Sequence, residues 1–365
     1  MNPVRNYRQL KKNKDVSNGV NKRRGALYQA TKKLPRWAVA AAVLLVLFAL
    51  PLFDRNDYHL EVLVSAGIFA VLVLGLNVMT GYCGLLNLGY AAFFAAGAYT
   101  YAILNVRFGW SFWVSLPVCI ISAGAFGLGF GSCALRLKGD YLAVVTLGFG
   151  EITRIALNNM DSLTGGPNGL TTAHPVLWLP HRSLAFGINS LPYYYLTLLA
   201  IMVTVIITSR LSSSRFGRAW IAIKEDEVAA ACMGIHTGKL KLLAFCIGSA
   251  IAGFAGWLFA GKQGFVSPES FDFITSIMLT AMLVFGGMGS IPGAIVAAVA
   301  LTIIPEVLRP LQQYRIFFFG AVMMAMMLFR PQGLLGGVRI FEEFRPETER
   351  IRQEEDEVLA DDSPR

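Results

Sequence analysis

The sequence predicts an all-α, polytopic integral membrane protein, a bundle of about ten spanning helices with broken or re-entrant segments among them. Hydrophobic residues make up 55% of the 365 residues and charged residues only 15%, whereas about a quarter of the residues in soluble globular proteins are charged. Several uninterrupted apolar runs approach the roughly 20 residues that a helix needs to cross a bilayer. The 36 glycines cluster inside these runs, where small residues permit close helix packing or a break in the helix.

Ten apolar runs are candidate spans, and together they define a transmembrane domain over residues 37–336. The first run follows a long basic leader and lacks a small-residue cleavage pattern, so we expect it to remain as an anchor. The eighth run is short enough to be broken or re-entrant. The runs cover residues 37–53, 60–79, 85–104, 111–135, 141–157, 191–209, 240–261, 273–285, 291–308 and 316–329.

Charge is distributed unevenly, and its distribution predicts the orientation of the chain. The leader, residues 1–36, holds eleven Lys or Arg against one Asp, whereas residues 341–365 hold ten Asp or Glu against four Arg. A basic arm can bind nucleic acid, but beside a span it more often stays in the cytoplasm and contacts anionic lipid. We therefore predict a protein of the bacterial inner membrane with both termini cytoplasmic, no nucleic-acid partner, and a solvated acidic tail over residues 337–365.

Alternating crossings support this orientation. They place the basic loop 210–241 in the cytoplasm, and they leave the long outer loop 158–190 with Arg182 as its only Lys or Arg. This asymmetry is the one that the positive-inside rule describes.

The reactive residues argue against a metalloprotein or an enzyme. The five cysteines are scattered without a Cys-x-x-Cys pair, the histidines have no metal-binding spacing partner, and no nucleophile and base lie at a workable spacing. A stand-alone secondary transporter or channel is an alternative from another class. Such a protein usually carries an intramembrane ion or proton relay, and Glu151 is the only acidic residue deep in a predicted span.

The cytoplasmic segment from Arg215 to Lys241 is too long and too patterned for a simple connector. If it is one helix, a small-residue face with a single carboxylate lies opposite an apolar face. Such a helix can pack on its own membrane body and still dock a partner, or it can lie in the membrane interface. The helical pattern alone leaves both open. The first face holds Ala219, Ile223, Glu227, Ala230 and Gly234, and the second holds Ile221, Val228, Cys232 and Ile235.

A short motif in this segment resembles that of the permease subunits of ABC importers. Glu227, Ala229, Ala230 and Gly234 match the pattern Glu-x-Ala-Ala-x-x-x-Gly. In that family the corresponding short helix fits into a cleft of the ATPase subunit, which implies an ATPase-coupling role for these residues.

The wider chain resembles the branched-chain amino acid family of these permeases over roughly residues 60–336. Urea-importer subunits of the same family share most of the motifs, so urea or a short amide is the alternative solute. The stretches are GYCGLLNLGYAAFFAAGAYTYAIL from Gly81, LKGDYLAVVTLGFGEITRIALNN from Leu137, LTGGPNGL from Leu163, QGFVSPESFDFITSIMLTAMLVFGGMGSIPGA from Gln263 and FRPQGLLG from Phe329.

The resemblance implies a heteromeric importer with two permease subunits, two ATP-binding subunits and an external solute-binding protein. This chain would be one permease and not an enzyme. It contains no G-x-x-x-x-G-K-[ST] phosphate loop, so we expect ATP and Mg²⁺ to bind the partner ATPase and no cofactor to bind this chain.

Four polar residues within predicted spans are candidate contacts of the solute: Asn77, Asn87, Thr146 and Glu151. Ionisable groups in a span are costly unless they face protein or water. Glu151 can instead pair with Arg154 on one helix face, and the three neutral residues can simply bond between helices.

Two glycine clusters, residues 81–89 and 286–293, are either sites of tight helix packing or broken-helix elements in matching positions of two halves. The loop Thr164–Gly169 is predicted to be a defined external turn. It either contacts the binding protein or only reverses the chain.

Overall fold

The computed structural model describes residues 56–135, 137, 139–174, 176–179, 182–185 and 190–307, together with residues 51, 320, 324, 333 and 334. The basic leader, the first and last predicted spans (37–53 and 316–329) and the acidic tail lie outside the described residues apart from these isolated positions. The helices and strands with defined bounds lie in the compact unit that begins at Asp57.

Helices dominate the described chain. The helices are α1 (Asp57–Leu76), continued by a π-helix (Asn77–Tyr82), α2 (Ala91–Phe108), α3 (Phe112–Ala134), α4 (Asp140–Asn159), α5 (Asp161–Thr164), a 3-10 turn (Gly166–Asn168), α6 (Ser190–Ser213), α7 (Arg215–Glu225), α8 (Glu227–Cys232), α9 (Thr237–Gln263), a second 3-10 turn (Pro268–Phe271), α10 (Phe273–Gly286) and α11 (Ile291–Val307).

Four short strands accompany the helices, so the described chain is mostly helical, as predicted, with a small amount of strand. They are β1 (Leu170–Thr171), β2 (Val176–Leu179), β3 (Arg182–Ala185) and β4 (Phe265–Val266). β1 pairs antiparallel with β4, and β2 pairs antiparallel with β3 from Val176 opposite Ala185 to Leu179 opposite Arg182. Strands of two to four residues are too short to show the alternating pattern by which a strand is predicted from sequence.

The eight predicted spans inside the described chain each fall on a helix. The third begins later than predicted, because residues 83–90 form a loop between the π-helix and α2. Five helical stretches are long and apolar enough to cross a membrane by length and composition: Asp57–Tyr82, Phe112–Ala134, Ser190–Ser213, Thr237–Gln263 and Pro268–Gly286. This supports a membrane helix bundle, while the count of ten spans stays a prediction.

Helix α9 is the centre of the bundle, where it packs against α1, α2 and α3. Glycines bring the backbones together. A Cβ added to Gly253 of α9 would lie 2.6 Å from the Cys119 carbonyl oxygen of α3, and one added to Gly97 of α2 would overlap the backbone of Gly253 itself. Further along, the Trp257 indole donates to the Phe112 carbonyl oxygen at 2.8 Å. The helices are therefore in direct backbone contact.

The helix ends fall into two groups. At one end, which we call the basic end, the chain between α6 and α9 contacts the end of the π-helix, as in the bond from Lys224 to the Gly81 carbonyl oxygen. At the opposite end, Lys262 lies 3.2 Å from Glu61 and the Thr172 hydroxyl donates to Ala260. Alternating crossings predict this sorting of the ends, and the cytoplasmic location of the basic end stays a prediction.

Candidate coupling site

The segment from Arg215 to Lys241 is not the single predicted helix. Residues 215–234, which we call the docking segment, hold the two helices α7 and α8, whereas Leu240 and Lys241 already belong to α9. Ser214 caps α7 by accepting from the Gly217 amide. Asp226 has an extended backbone (φ −153°), and its carboxylate accepts from the amides of Val228 at 2.8 Å and Ala229 at 3.0 Å. An Asp in this position starts a new helix by satisfying its first free amides. The helix α8 then ends before Gly234, whose φ of +82° is left-handed.

This break corrects the predicted continuous face. Ile223 and Ala230 are each only 4% exposed and belong to the hydrophobic core of the protein. Ala219 and Glu227 are half-buried, whereas Ala229 and Gly234 are exposed. The predicted face is therefore divided between the interior and the surface, and the ATPase-coupling role of its residues stays a prediction.

An exposed, largely apolar patch lies on the outside of α8. Val228 is 70% exposed and Met233 is 83% exposed. Helical periodicity predicts Val228 and Cys232 on the face opposite the small one, whereas it makes no prediction for Met233. The full set, which we call the outward patch, is Val228, Ala229, Cys232, Met233 and Gly234, all exposed.

Three side chains attach the docking segment to the membrane body. Trp220 is completely buried, and its indole donates to the Leu240 carbonyl oxygen at 2.8 Å. Lys224 donates to the Gly81 carbonyl oxygen at 2.9 Å, and partial burial lowers the pKa of Lys224 against the opposing effect of Glu225. Glu227 forms an ion pair of 2.6 Å with Lys241. The segment is thus fixed to α9 and to the π-helix.

The helices are interrupted at both glycine clusters, and the two clusters pack against each other. That they occupy matching positions in two halves of the chain stays a prediction. The Asn77 side-chain oxygen accepts from the Gly289 amide at 2.8 Å, across 212 positions of sequence. A Cβ added to Gly81 would lie 2.8 Å from that same amide nitrogen. We call the contact of Asn77, Gly81 and Gly289 the glycine junction. Its members come from the π-helix and from the turn between α10 and α11.

The predicted pathway residues do not form one site. Asn77 is buried in the glycine junction, and its side-chain nitrogen has no hydrogen-bond partner among the described residues. Asn87 bonds within its own loop, where its oxygen accepts from the Gly89 amide at 3.0 Å. Thr146 accepts from the Leu88 amide at 3.1 Å and so joins α4 to that loop. All three neutral side chains thus make local or interhelical contacts.

Glu151 lies elsewhere, in a shallow surface pocket between α4 and the start of α10. Its carboxylate pairs with Arg154 at 2.9 Å, as one turn of helix predicts, and both side chains are about one-third exposed. The same pocket is lined by Asp272 and Ser276, neither of which is predicted from the sequence. Asp272 caps α10 by accepting from the Thr275 amide at 2.8 Å. An Asp directly before an apolar run was the available signal.

The external turn Thr164–Gly169 is closely packed at its base. The Thr164 hydroxyl donates to the Leu157 carbonyl oxygen at 2.6 Å, and Gly165, Gly166 and Gly169 have positive φ. Pro167 and Asn168 are exposed. The turn is defined, as predicted, and its contact with a binding protein stays a prediction.

Comparison with known proteins gives matches across most of the chain. Residues 58–329 match the family described as branched-chain amino acid transport system / permease component. The chain is 42% identical to the high-affinity branched-chain amino acid transport system permease protein LivM of Escherichia coli K12, over 85% of this chain and 77% of that protein.

Two further relatives carry the same description. Identity is 42% to LivM of Salmonella typhimurium LT2, over 80% of this chain and 73% of that protein. It is 27% to the permease protein BraD of Pseudomonas aeruginosa PAO1, over 78% and 94% respectively. No solved structure gives a significant match.

Proposed function

The chain belongs to the permease family of branched-chain amino acid ABC transporters, and we propose that it forms part of the membrane pathway of an ATP-driven importer of these solutes. It is a multi-pass membrane protein, and we infer from the charge distribution that the basic end faces the cytoplasm and that both termini are cytoplasmic. The identity of 42% to LivM proteins carries the choice of solute. Urea or a short amide is the second candidate, because urea-importer subunits share most of the sequence motifs by which this chain resembles the family.

The partners follow from the family. They are a second permease subunit, two ABC ATPase subunits and an external solute-binding protein. ATP and Mg²⁺ bind the ATPase subunits, since this chain has no phosphate-binding loop. The role of this chain is to shape the pathway and to change its access when the ATPases move.

Uptake by the reconstituted complex tests the function. The chain is purified with its candidate ATPase subunits and second permease, placed in vesicles, and supplied with the binding protein and either leucine or urea. We expect leucine uptake only when ATP is present on the side of the vesicle membrane that the basic end faces. Uptake that ignores ATP would exclude the importer, and urea uptake without leucine uptake would reassign the solute.

The outward patch supports docking of the ATPase at α8. Exposed apolar side chains beside a charged surface are typical of protein interfaces, and methionine adapts to the shape of a partner. Contact with a partner stabilises such a patch, because burial of apolar surface contributes about 25 cal/mol per Å². The alternative is that α8 lies in the lipid interface, in which case the same side chains enter the headgroup region.

A charge placed in the outward patch separates these two readings. We expect Val228→Glu to leave the protein in the membrane but to reduce co-purification of the ATPase at least about tenfold, because a desolvated, unpaired carboxylate costs more than about 1.4 kcal/mol. Val228→Leu keeps the apolar surface and is the matched control. Normal ATPase recovery with Val228→Glu would show that docking occurs elsewhere.

We place the solute near the pocket beside Glu151 and Asp272. Arg154 and Thr275 bond only one oxygen of the Glu151 and Asp272 carboxylates. The other oxygen of each carboxylate suits the ammonium group of an amino acid, and apolar contacts come from Leu88, Leu147 and Phe273. Asn77, Asn87 and Thr146 then act by holding the helices around the pathway.

Removal of one carboxylate tests this placement. We expect Glu151→Gln to raise the KM for leucine uptake at least about fivefold, since a hydrogen bond to a charged group contributes about 1.5–3 kcal/mol. Glu269→Gln, at an exposed position a few residues from the pocket, is the matched control. An unchanged KM in Glu151→Gln would remove Glu151 from the pathway.

A further inference from the structure

Lys224 connects the docking segment to the broken end of the first described span. It stands in the last turn of α7, and its ammonium donates to the Gly81 carbonyl oxygen at 2.9 Å, across 143 positions of sequence. The stem of the side chain passes over Gly84, where an added Cβ would lie 2.9 Å from Lys224 Cγ. The Lys224 side chain therefore begins in the docking segment and is bonded at its ammonium group to the π-helix.

The acceptor is a carbonyl group that the helix itself leaves free. Gly81 is the fifth residue of a six-residue π-helix that ends at Tyr82, so its carbonyl lacks the following turn that would supply an amide donor. A lysine at a helix C-terminus can bond such a carbonyl and is attracted by the negative end of the helix dipole. The contact thus has a specific chemical basis at this position.

The same residue borders the glycine junction. The Gly81 Cα faces the Gly289 amide, which Asn77 of the π-helix holds at 2.8 Å. From Lys224, two contacts therefore lead to the turn between α10 and α11. Trp220, one turn earlier in α7, is fixed to Leu240 at the start of α9. A displacement of α7 would therefore move α9 through Trp220. Through Lys224 it would also move the end of the π-helix and the turn between α10 and α11.

We propose that Lys224 is a positioning residue that transmits movement of the docked ATPase to the glycine junction, and through it to the access state of the pathway. This inference rests on the proposed function as an ATP-driven importer. Docking itself is assigned to the outward patch on α8, so Lys224 acts after docking. Removal of its ammonium leaves the ATPase bound and active while the pathway no longer follows it.

The test measures uptake and ATP hydrolysis in the same vesicles, with the full complex and leucine as the solute. Lys224→Met keeps the stem over Gly84 and removes the donor. We expect it to assemble with the ATPase, to retain at least about half of the hydrolysis, and to transport about tenfold fewer leucine molecules per ATP. Lys224→Arg, which retains a charged donor, restores part of this ratio. Lys239→Met, at an exposed lysine of the basic end, leaves it unchanged.

Each other outcome has a defined meaning. A wild-type ratio in Lys224→Met overturns the proposal. Loss of the ATPase from the purified Lys224→Met complex, or an equal fall of uptake and hydrolysis, also overturns it, because either result assigns the residue to docking or folding. Absence of ATP-dependent uptake in the wild-type complex contradicts the proposed function itself and is seen before any variant is compared.

Discussion

Leucine in place of Gly253 is expected to prevent accumulation of folded protein. Gly253 lies between two helices, with its own backbone against Gly97 of α2 and its missing side chain facing Cys119 and Ala123 of α3. Overpacking of a core costs about 1–3 kcal/mol where side chains can adjust. Here backbones would have to separate, and we expect a loss of at least about 3 kcal/mol. Size-exclusion chromatography in detergent should show aggregated protein instead of a single symmetric peak.

The matched control is Gly129→Leu in α3, the helix that Gly253 of α9 faces. No atom lies within 4 Å of a Cβ added there among the described residues, and Gly129 is exposed. We expect this variant to give the wild-type yield and elution. If both variants elute alike, the close contact of α2, α3 and α9 is not a determinant of stability.

Alanine in place of Trp220 is expected to release the docking segment while leaving the spans inserted. The side chain is completely buried and bonded to Leu240, and large-to-small replacement of a buried aromatic residue costs about 3–5 kcal/mol. Hydrogen exchange should rise over residues 215–232, and the ATPase should be lost from the purified complex. Trp220→Phe keeps most of the packing and loses one hydrogen bond, worth about 1 kcal/mol, so we expect an intermediate result.

The control beside it is Ile221→Ala, at a partly exposed position of the same helix. This change removes apolar volume that is not enclosed by the body, and exchange and ATPase binding should remain close to wild type. Unchanged exchange in Trp220→Ala would mean that the ion pair of Glu227 and Lys241 and the bond of Lys224 hold the segment without the indole.

The spans could be predicted because a bilayer imposes a length and a composition on each helix, and eight of the predicted runs fall on helices. The docking segment shows where periodicity fails. The helical wheel assumed one axis from Ala219 to Gly234, whereas Asp226 ends one helix and starts the next. Asp226 is a preferred N-cap residue followed by helix-forming residues, so a capping argument would have found the break that the wheel could not.

The candidate pathway shows a second limit. Polar residues in apolar runs are visible in the sequence, but their partners are not. Asn77 bonds Gly289 at a separation of 212 residues, and Thr146 bonds Leu88 at a separation of 58. Such pairs depend on how the helices cross. Asp272 lies just before the apolar run of α10. That it lines a pocket becomes clear only from the position of α4 in the structure.

The backbone contacts around Gly253 also bear on how such a protein can change shape. Because α9 touches the backbones of α2 at Gly97 and of α3 at Cys119, we expect α2, α3 and α9 to move together as one rigid block. If the pathway alternates its access as we propose, we expect its two forms to differ in how the other helices are arranged about this block. A pair of spectroscopic labels on α2 and α9 should therefore report a constant separation throughout the transport cycle. This distance is the reference against which motion at Gly81 and Gly289 can be measured.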